Sequence, residues 1–249
     1  MDPAVIAQLL EINTRFYHDF GEAFAATRRR IQPGVRSVLA TIPEHGSWLD
    51  LGCGSGALGR EWAASGRTGS YLGLDFSEPL LREARKVTAG ASGSRLSVRY
   101  AFADLMDPAW GDAFPAQSYD GVMAFASLHH IPGRENQRRF FSAVYRLLRP
   151  GGKLILSVWQ FQNSAKLMER VLPWETVGLQ ETDVEPGDTL LDWRYALSGQ
   201  QSRTGIRYVH LFSAESLQHL ASAAGFSLTA QFYSDGAEGN LALYQIFQR

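Results

Sequence analysis

Apolar residues along the chain keep two different rhythms. Over residues 3–30 they recur at helical spacing: Val5, Ile6, Leu9, Leu10 and Ile12 make one stripe, and Phe16, Tyr17, Phe20 and Phe24 a second. That spacing predicts two helical pieces. Pro33-Gly34 breaks the run, and residues 35–40 read as a short helix leading into the core. From Ser47 onward, short apolar runs at 48–51, 70–74, 96–102, 119–125 and 153–159 alternate with helical stretches at 58–64, 77–87 and 135–148. Strand and helix in alternation imply a parallel sheet with crossover helices. Ser77-Glu78-Pro79 offers a hydroxyl N-cap, an early acid and a proline for the first turn of its helix. Leu147-Leu148-Arg149-Pro150-Gly151-Gly152 ends a helix and turns sharply into the fifth strand. Residues 160–206 lose the alternation and scatter aromatic and acidic side chains, so they read as an insertion. Regularity returns with a helix at 214–224 and strands at 227–233 and 241–247. The short turn between these strands suits an antiparallel hairpin on an otherwise parallel sheet.

The 249 residues, 45% hydrophobic and 20% charged, have the balance of a compact soluble protein, and length alone allows one or two domains. A formal charge of -1 argues against a chain that grips nucleic acid by overall charge, but leaves room for a local basic patch. The single cysteine, Cys53, excludes an internal disulfide framework and a multi-cysteine zinc site. No apolar run approaches the roughly 20 residues needed to span a bilayer, so no membrane association is expected. Residues 1–10 have neither a basic n-region nor a cleavage-like site, and a cytoplasmic location is the expectation.

Candidate chemistry concentrates in Leu49-Asp50-Leu51-Gly52-Cys53-Gly54-Ser55-Gly56, an apolar strand running into three alternate glycines and then a helix. Glycine suits a turn that needs positive φ and a backbone on which a ligand lies, and the helix N-terminus beyond it presents free N–H groups. Gly54-Ser55-Gly56-Ala57-Leu58-Gly59 matches the G-x-G-x-x-G dinucleotide fingerprint, with Asp75 about 20 residues on as a ribose acid. That match leaves a nicotinamide oxidoreductase open. Asp50 ahead of the glycines makes the pattern Asp-x-Gly-x-Gly-x-Gly instead, which resembles the first motif of class I S-adenosylmethionine-dependent methyltransferases. The resemblance implies a Rossmann-like α/β fold with a seven-stranded, mostly parallel sheet and a C-terminal antiparallel hairpin. Residues 1–40 would form an N-terminal helical lid and 160–206 an inserted substrate cap, all within one domain.

The resemblance also assigns residues to the cofactor S-adenosylmethionine. Asp75, in Gly73-Leu74-Asp75-Phe76-Ser77, would accept from both ribose hydroxyls, and Asp104, in Ala103-Asp104-Leu105, from the adenine amino group. Gly52, Gly54 and Gly56 would carry the cofactor on bare main chain, with Phe76, Leu105 and Phe125 beside it. Asp50 either joins them or only orients the loop. An Asp after a strand is also a common turn or helix cap. Three of them at the carboxyl ends of the first three strands stand where ligands of open α/β sheets bind.

Further stretches bring a narrower likeness. Ile12-Asn13-Thr14-Arg15-Phe16-Tyr17-His18-Asp19-Phe20, Ser127-Leu128-His129-His130-Ile131, Ser157-Val158-Trp159, Val171-Leu172-Pro173-Trp174, Arg207-Tyr208-Val209-His210-Leu211-Phe212 and Gly239-Asn240 together resemble the methyltransferases that esterify 5-carboxymethyluridine at the tRNA wobble position. The chain departs from that family in having Gln32-Pro33 where a Trp-Pro pair is usual, and Leu241 where a Trp commonly follows Gly-Asn. What it implies is a tRNA acceptor and a small activating subunit as partner, with a small-molecule acceptor as the alternative. The insertion at 160–206, with four basic residues against seven acids, would repel phosphate if it faced the substrate.

His129 and His130 are candidates to pack against the acceptor or take its proton, or else a strand-end cap and a core histidine. A carboxylate acceptor would need no base and a hydroxyl acceptor would. Tyr17 and Arg28 would approach the cofactor's carboxylate from the lid, unless Tyr17 belongs to the apolar stripe and Arg28-Arg29-Arg30 is a solvated helix end. The likeness makes Arg207, Tyr208 and His210 acceptor-side residues. Trp159 and Trp174 either line an aromatic slot or pack, and packing is the reading for Trp159. No metal is expected, because no ligand cluster accompanies the histidines.

Overall fold

The structure is a computed structural model that describes residues 1–27, 30–91, 93, 95–195 and 203–249. In chain order its elements are α1 (Pro3–Thr27), α2 (Pro33–Leu39), β1 (His45–Leu51), α3 (Ala57–Ala64), β2 (Thr68–Asp75), α4 (Glu78–Val87), β3 (Leu96–Phe102), β4 (Tyr119–Phe125) and α5 (Arg134–Leu147). Then follow β5 (Leu148–Trp159), α6 (Ala165–Met168), β6 (Val171–Leu172), β7 (Asp188–Tyr195), β8 (Arg203–His210), α7 (Ala214–Ala223), β9 (Ser227–Ser234) and β10 (Ala242–Gln248). Seven strands form one sheet in the order β3-β2-β1-β4-β5-β10-β9. β1 to β5 are parallel, and β10 alone runs against its neighbours β5 and β9. The α/β architecture with its hairpin edge is the one expected.

The period of two along the strands sorts their side chains between two apolar layers. Leu49, Leu51, Val122, Ala124, Leu154 and Leu156 face α5 and α7, where Phe140, Phe141, Val144, Leu217 and Leu220 meet them. Trp48, Met123 and Ile155 face the other way, toward Val35 and Val38 of α2 and Leu58 and Trp62 of α3. Burial on both faces explains why the strands read as apolar runs without alternation. The chain leaves β1 outward through β2 and β3 and returns to β1's other side as β4. That reversal opens a crevice at the carboxyl ends of the strands.

Three expectations change. The two apolar stripes of residues 3–30 belong to one helix, α1. It has no breaker between the stripes, and each stripe meets a different neighbour: Leu9 packs with Trp174, Leu190 and Tyr208, whereas Phe16 and Phe20 pack on Trp193. The insertion is not irregular. β6, β7 and β8 make a separate antiparallel sheet, and the expected boundary at 206 falls inside β8. Its alternation is hidden in the sequence because Asp188, Asp192 and Arg207 are buried there. Ser77 stands at the N-cap of α4, but its hydroxyl makes no cap bond. Its N–H is taken by Asp75 instead.

Candidate functional site

A cleft of about 580 Å³ lies over the carboxyl ends of β1, β2, β4 and β5, under α1 and beside the turn that joins β9 to β10. Its floor is the glycine loop. Gly52 and Cys53 both donate their N–H to the Leu74 carbonyl, at 2.8 and 3.0 Å, which extends the β1–β2 ladder one step past the strand. Gly54 N–H then donates to Asp75 Oδ2 at 2.8 Å, and Ser77 N–H to Oδ1 at 2.9 Å. One carboxylate thus ties the loop to the turn before α4. Burial pushes the Asp75 pKa up, against these main-chain hydrogen bonds.

The glycines have separate physical jobs. Gly52 takes φ +76°, and a Cβ on it would come within 2.7 Å of the Ser127 Cβ. Gly54 takes φ +54°, yet a Cβ there would meet no atom within 4 Å. The main chain at Gly54 is therefore bare toward open space, the surface on which a ligand can lie. Gly56 begins α3 in the left-handed region and packs on Ala84. Gly59, the last glycine of the dinucleotide-like spacing, packs against the Tyr100 hydroxyl.

The acids are not equivalent. Asp50 is 3% exposed, and its Oδ2 takes the Tyr71 hydroxyl beneath the loop. Burial pushes its pKa up to about 7, Tyr71's hydrogen bond opposes the rise, and neighbouring Asp75 adds to it. Asp104 is exposed beyond β3 and accepts the Met106 N–H at 2.9 Å. Phe76, Leu105 and Met106 form an apolar wall near these acids, and the Tyr17 ring from α1 stands edge-on to Phe76 at 5.8 Å. Phe125 lines the opposite wall, tilted against Tyr244 at 6.1 Å. Arg28 lies outside the described residues, whereas its neighbour Arg30 reaches the cleft.

The half of the cleft beyond β4 contains His129, His130, Trp159 and Arg207. Arg207, 5% exposed, has its guanidinium 5.1 Å from the Phe16 ring and 5.2 Å from the Trp159 ring. His129 accepts the Trp159 N–H on Nδ1 at 3.3 Å, so a neutral ring carries its proton on Nε2. His130 has the other tautomer. Its Nδ1 faces the Tyr208 carbonyl at 3.0 Å, and a carbonyl only accepts, so Nδ1 is the donor. Nε2 then accepts the Tyr17 hydroxyl at 3.1 Å.

His210 does not join them, which corrects its expected acceptor-side position. Successive side chains of a strand point to opposite faces. Arg207 and Val209 face the cleft side of β8, whereas Tyr208 and His210 share the other face and the same Asp188 oxygen, each at 2.7 Å. His210 lines a separate cavity between α5 and α7. Trp159, expected to pack, lines the cleft, and Trp174, left open between slot and packing, packs among Leu9, Leu179 and Tyr208. Asn13, Ser127 and Asp235, given no role from the sequence, line the cleft, as does Arg30, whose expected place was a solvated helix end. Only Asn13 carried a signal, as a polar residue among the apolar positions of α1.

Comparison with known proteins agrees with this geometry. The profile of the family described as "Methyltransferase domain" matches residues 24–231. An Encephalitozoon cuniculi protein with a provisional methyltransferase designation is 29% identical over 215 residues, 86% of each chain. The tRNA (carboxymethyluridine(34)-5-O)-methyltransferase of Arabidopsis thaliana is 24% identical over 185 residues, 72% of this chain but 41% of that protein. Among solved structures, a SAM-dependent methyltransferase from Methanosarcina mazei superposes with a TM-score of 0.63 at 22% identity, covering 88% of this chain and 98% of that one. A Haloferax volcanii protein with a provisional methyltransferase designation, in complex with the Trm112 methyltransferase activator, superposes at 0.61 with 15% identity, over 95% of this chain and 96% of that one. The chain belongs to the methyltransferase-domain family.

Proposed function

We propose that the cleft transfers the donor's methyl group to a carboxylate, forming a methyl ester. Bound S-adenosylmethionine supplies a methyl group already activated on a sulfonium, so the protein's share is alignment and exclusion of water. Asp75 is the acceptor for the ribose hydroxyls: each of its oxygens holds one main-chain N–H and has a further lone pair. Asp104, exposed one strand further out, takes the adenine amino group. Gly52, Gly54 and Gly56 give the bare main chain, Phe76 and Leu105 the apolar wall on the adenosine side, and Phe125 the wall on the other. Tyr17 covers Phe76 from α1, and Asp50 supports the loop from beneath.

The observation that carries the acceptor class is the state of the two histidines. The lone pair of His129 receives the Trp159 N–H and that of His130 the Tyr17 hydroxyl, so each ring's basic nitrogen is already engaged. A hydroxyl acceptor needs a base to take its proton, whereas a carboxylate is ionised at neutral pH. Arg207 provides the matching positive charge, held between two aromatic rings. The Arabidopsis relative's name supports a carboxymethyl group on tRNA wobble uridine as that acceptor. The net charge of -3 over residues 160–206 favours a second reading, a small carboxylic acid. A small activating subunit fits either reading, since one structural neighbour, provisionally designated a methyltransferase, is in complex with an activator.

Calorimetry with S-adenosylhomocysteine and with NAD tests the donor site, and binding of NAD alone overturns it. Labelled methyl donor is then supplied with total tRNA in one tube and small carboxylic acids in another. Label that mild alkali releases supports an ester, and alkali-stable label refutes the carboxylate. Binding without transfer in either tube points to the missing activator.

A further inference from the structure

Asn13 lies midway along α1, 5% exposed, and its side chain does what a neighbouring strand would do for β8. Its Oδ1 accepts the Tyr208 N–H at 2.9 Å, and its Nδ2 donates to the Tyr208 carbonyl at 3.1 Å. The same carbonyl receives His130 Nδ1–H. Asn13 Nδ2 and His130 Nδ1 are 3.4 Å apart, two donors converging on one oxygen and not bonded to each other. His130 Nε2 in turn takes the hydroxyl of Tyr17, one helical turn beyond Asn13 on α1. Hydrogen bonds run from Asn13 through the Tyr208 peptide and His130 to Tyr17, and α1 itself joins Tyr17 back to Asn13, so that together they make a ring spanning α1, β8 and the segment after β4. Asn13, Tyr17 and His130 all line the cleft.

We propose that Asn13 is a positioning residue for the methyl-transfer site: by holding one peptide group of β8 it fixes the tautomer of His130 and, through it, the hydroxyl of Tyr17. The proposal rests on the reading of the cleft as the methyltransferase site and concerns a residue that acts on it through His130 and Tyr17. Tyr17 spends its proton on His130, so its oxygen faces the cleft as an acceptor. In the other tautomer Tyr17 would accept from His130 and turn its proton elsewhere. The ring thus sets the hydrogen-bonding sense of a side chain in the site, which packing alone would not do.

The full-length chain is labelled with ¹⁵N-histidine, and the His130 ring signals are identified by their loss in His130→Gln. The wild type is expected to show His130 with its proton on Nδ1 and an accepting Nε2. Asn13→Ala should give a mixture of tautomers, with affinity for S-adenosylhomocysteine lowered about tenfold as α1 loses its register over the cleft. Asn13→Asp keeps the acceptor for Tyr208 N–H and sets a second acceptor beside His130 Nδ1, so it should leave His130 with its proton on Nδ1. A wild-type His130 protonated on Nε2 overturns the proposal, and that spectrum decides even if a variant does not fold. So does Asn13→Ala with weakened ligand binding but unchanged His130 signals. The tautomer measurement needs no ligand. A wild type that shows the expected tautomer but binds no S-adenosylhomocysteine would count against the proposed function and leave the ring intact.

Discussion

Asp50→Asn isolates the cost of keeping a carboxyl beneath the glycine loop. The side chain is 3% exposed at the end of β1, with Tyr71 donating to it and Asp75 nearby. Burial dominates and pushes its pKa from 3.8 to about 7. For an acid, a raised folded-state value means that folding favours the protonated form. The stabilisation tied to that proton is complete below pH 3.8, declines as pH rises from there, and is gone above about pH 7. About three pKa units at ~1.36 kcal/mol each gives roughly 4 kcal/mol across the window. Asparagine keeps an acceptor for Tyr71 and has no charge to desolvate, so it lacks this dependence.

Urea unfolding of both proteins, from about pH 4 to about pH 9, reads the difference. The stability of Asp50→Asn relative to wild type should climb by about 1.4 kcal/mol per pH unit up to neutrality and then level off. Tyr71→Phe removes the hydrogen bond that holds the pKa down, and should move the levelling point to higher pH. Parallel pH profiles for wild type and Asp50→Asn would refute the reasoning, because the carboxyl would then titrate alike in folded and unfolded chains.

Gly54→Ala should separate ligand binding from folding. The new methyl meets nothing within 4 Å, so its cost is the left-handed backbone alone, about 1 kcal/mol and a few degrees of Tm, whereas S-adenosylhomocysteine binding in calorimetry should fall about 100-fold or more. Gly52→Ala, whose methyl runs into Ser127, should instead lose stability more heavily. Arg207→Met preserves a long apolar stem between Phe16 and Trp159 and should change the urea midpoint little. It should cost about 10- to 100-fold in transfer to a carboxylate acceptor, the worth of a charge-assisted hydrogen bond, and unchanged transfer rates would remove Arg207 from acceptor binding.

The sequence announced the parallel sheet because burial on both faces leaves uninterrupted apolar runs. Residues 96–102 and 119–125 coincide with β3 and β4, and the strand-end acids Asp50, Asp75 and Asp104 all reach the cleft. The small sheet was illegible for the opposite reason. β7 and β8 bury Asp188, Asp192 and Arg207, which reads as a polar, irregular stretch until their partners are known. Without β8 as a strand, nothing in Arg207-Tyr208-Val209-His210 warns that Arg207 and His210 point to opposite faces. Trp159 and Trp174 illustrate the same limit: an aromatic side chain is apolar in either setting, and only the location of α1 decides which one is covered.

Donor and acceptor halves differ in how the chain encodes them. Most of the groups assigned to the donor come from one βαβ unit and the strand after it, residues 50–105, with strand order and loop geometry fixing their places. Local sequence and the folds of relatives carry that half, so likeness at 22% identity still matches its architecture. The acceptor half is assembled from α1, the segment after β4, the end of β5 and a strand of the second sheet, held together by Asn13, Tyr208 and His130. Its charge and hydrogen-bonding sense depend on contacts between segments nearly 200 residues apart, such as Asn13 with Tyr208. On the proposed reading, substitutions on the cleft face of β8 should change which acceptor is methylated while the donor site is unaltered. The same division makes membership of the methyltransferase-domain family a weaker guide to the acceptor: on the proposed reading the glycine loop holds the donor, and Arg207 with its surroundings selects the acceptor.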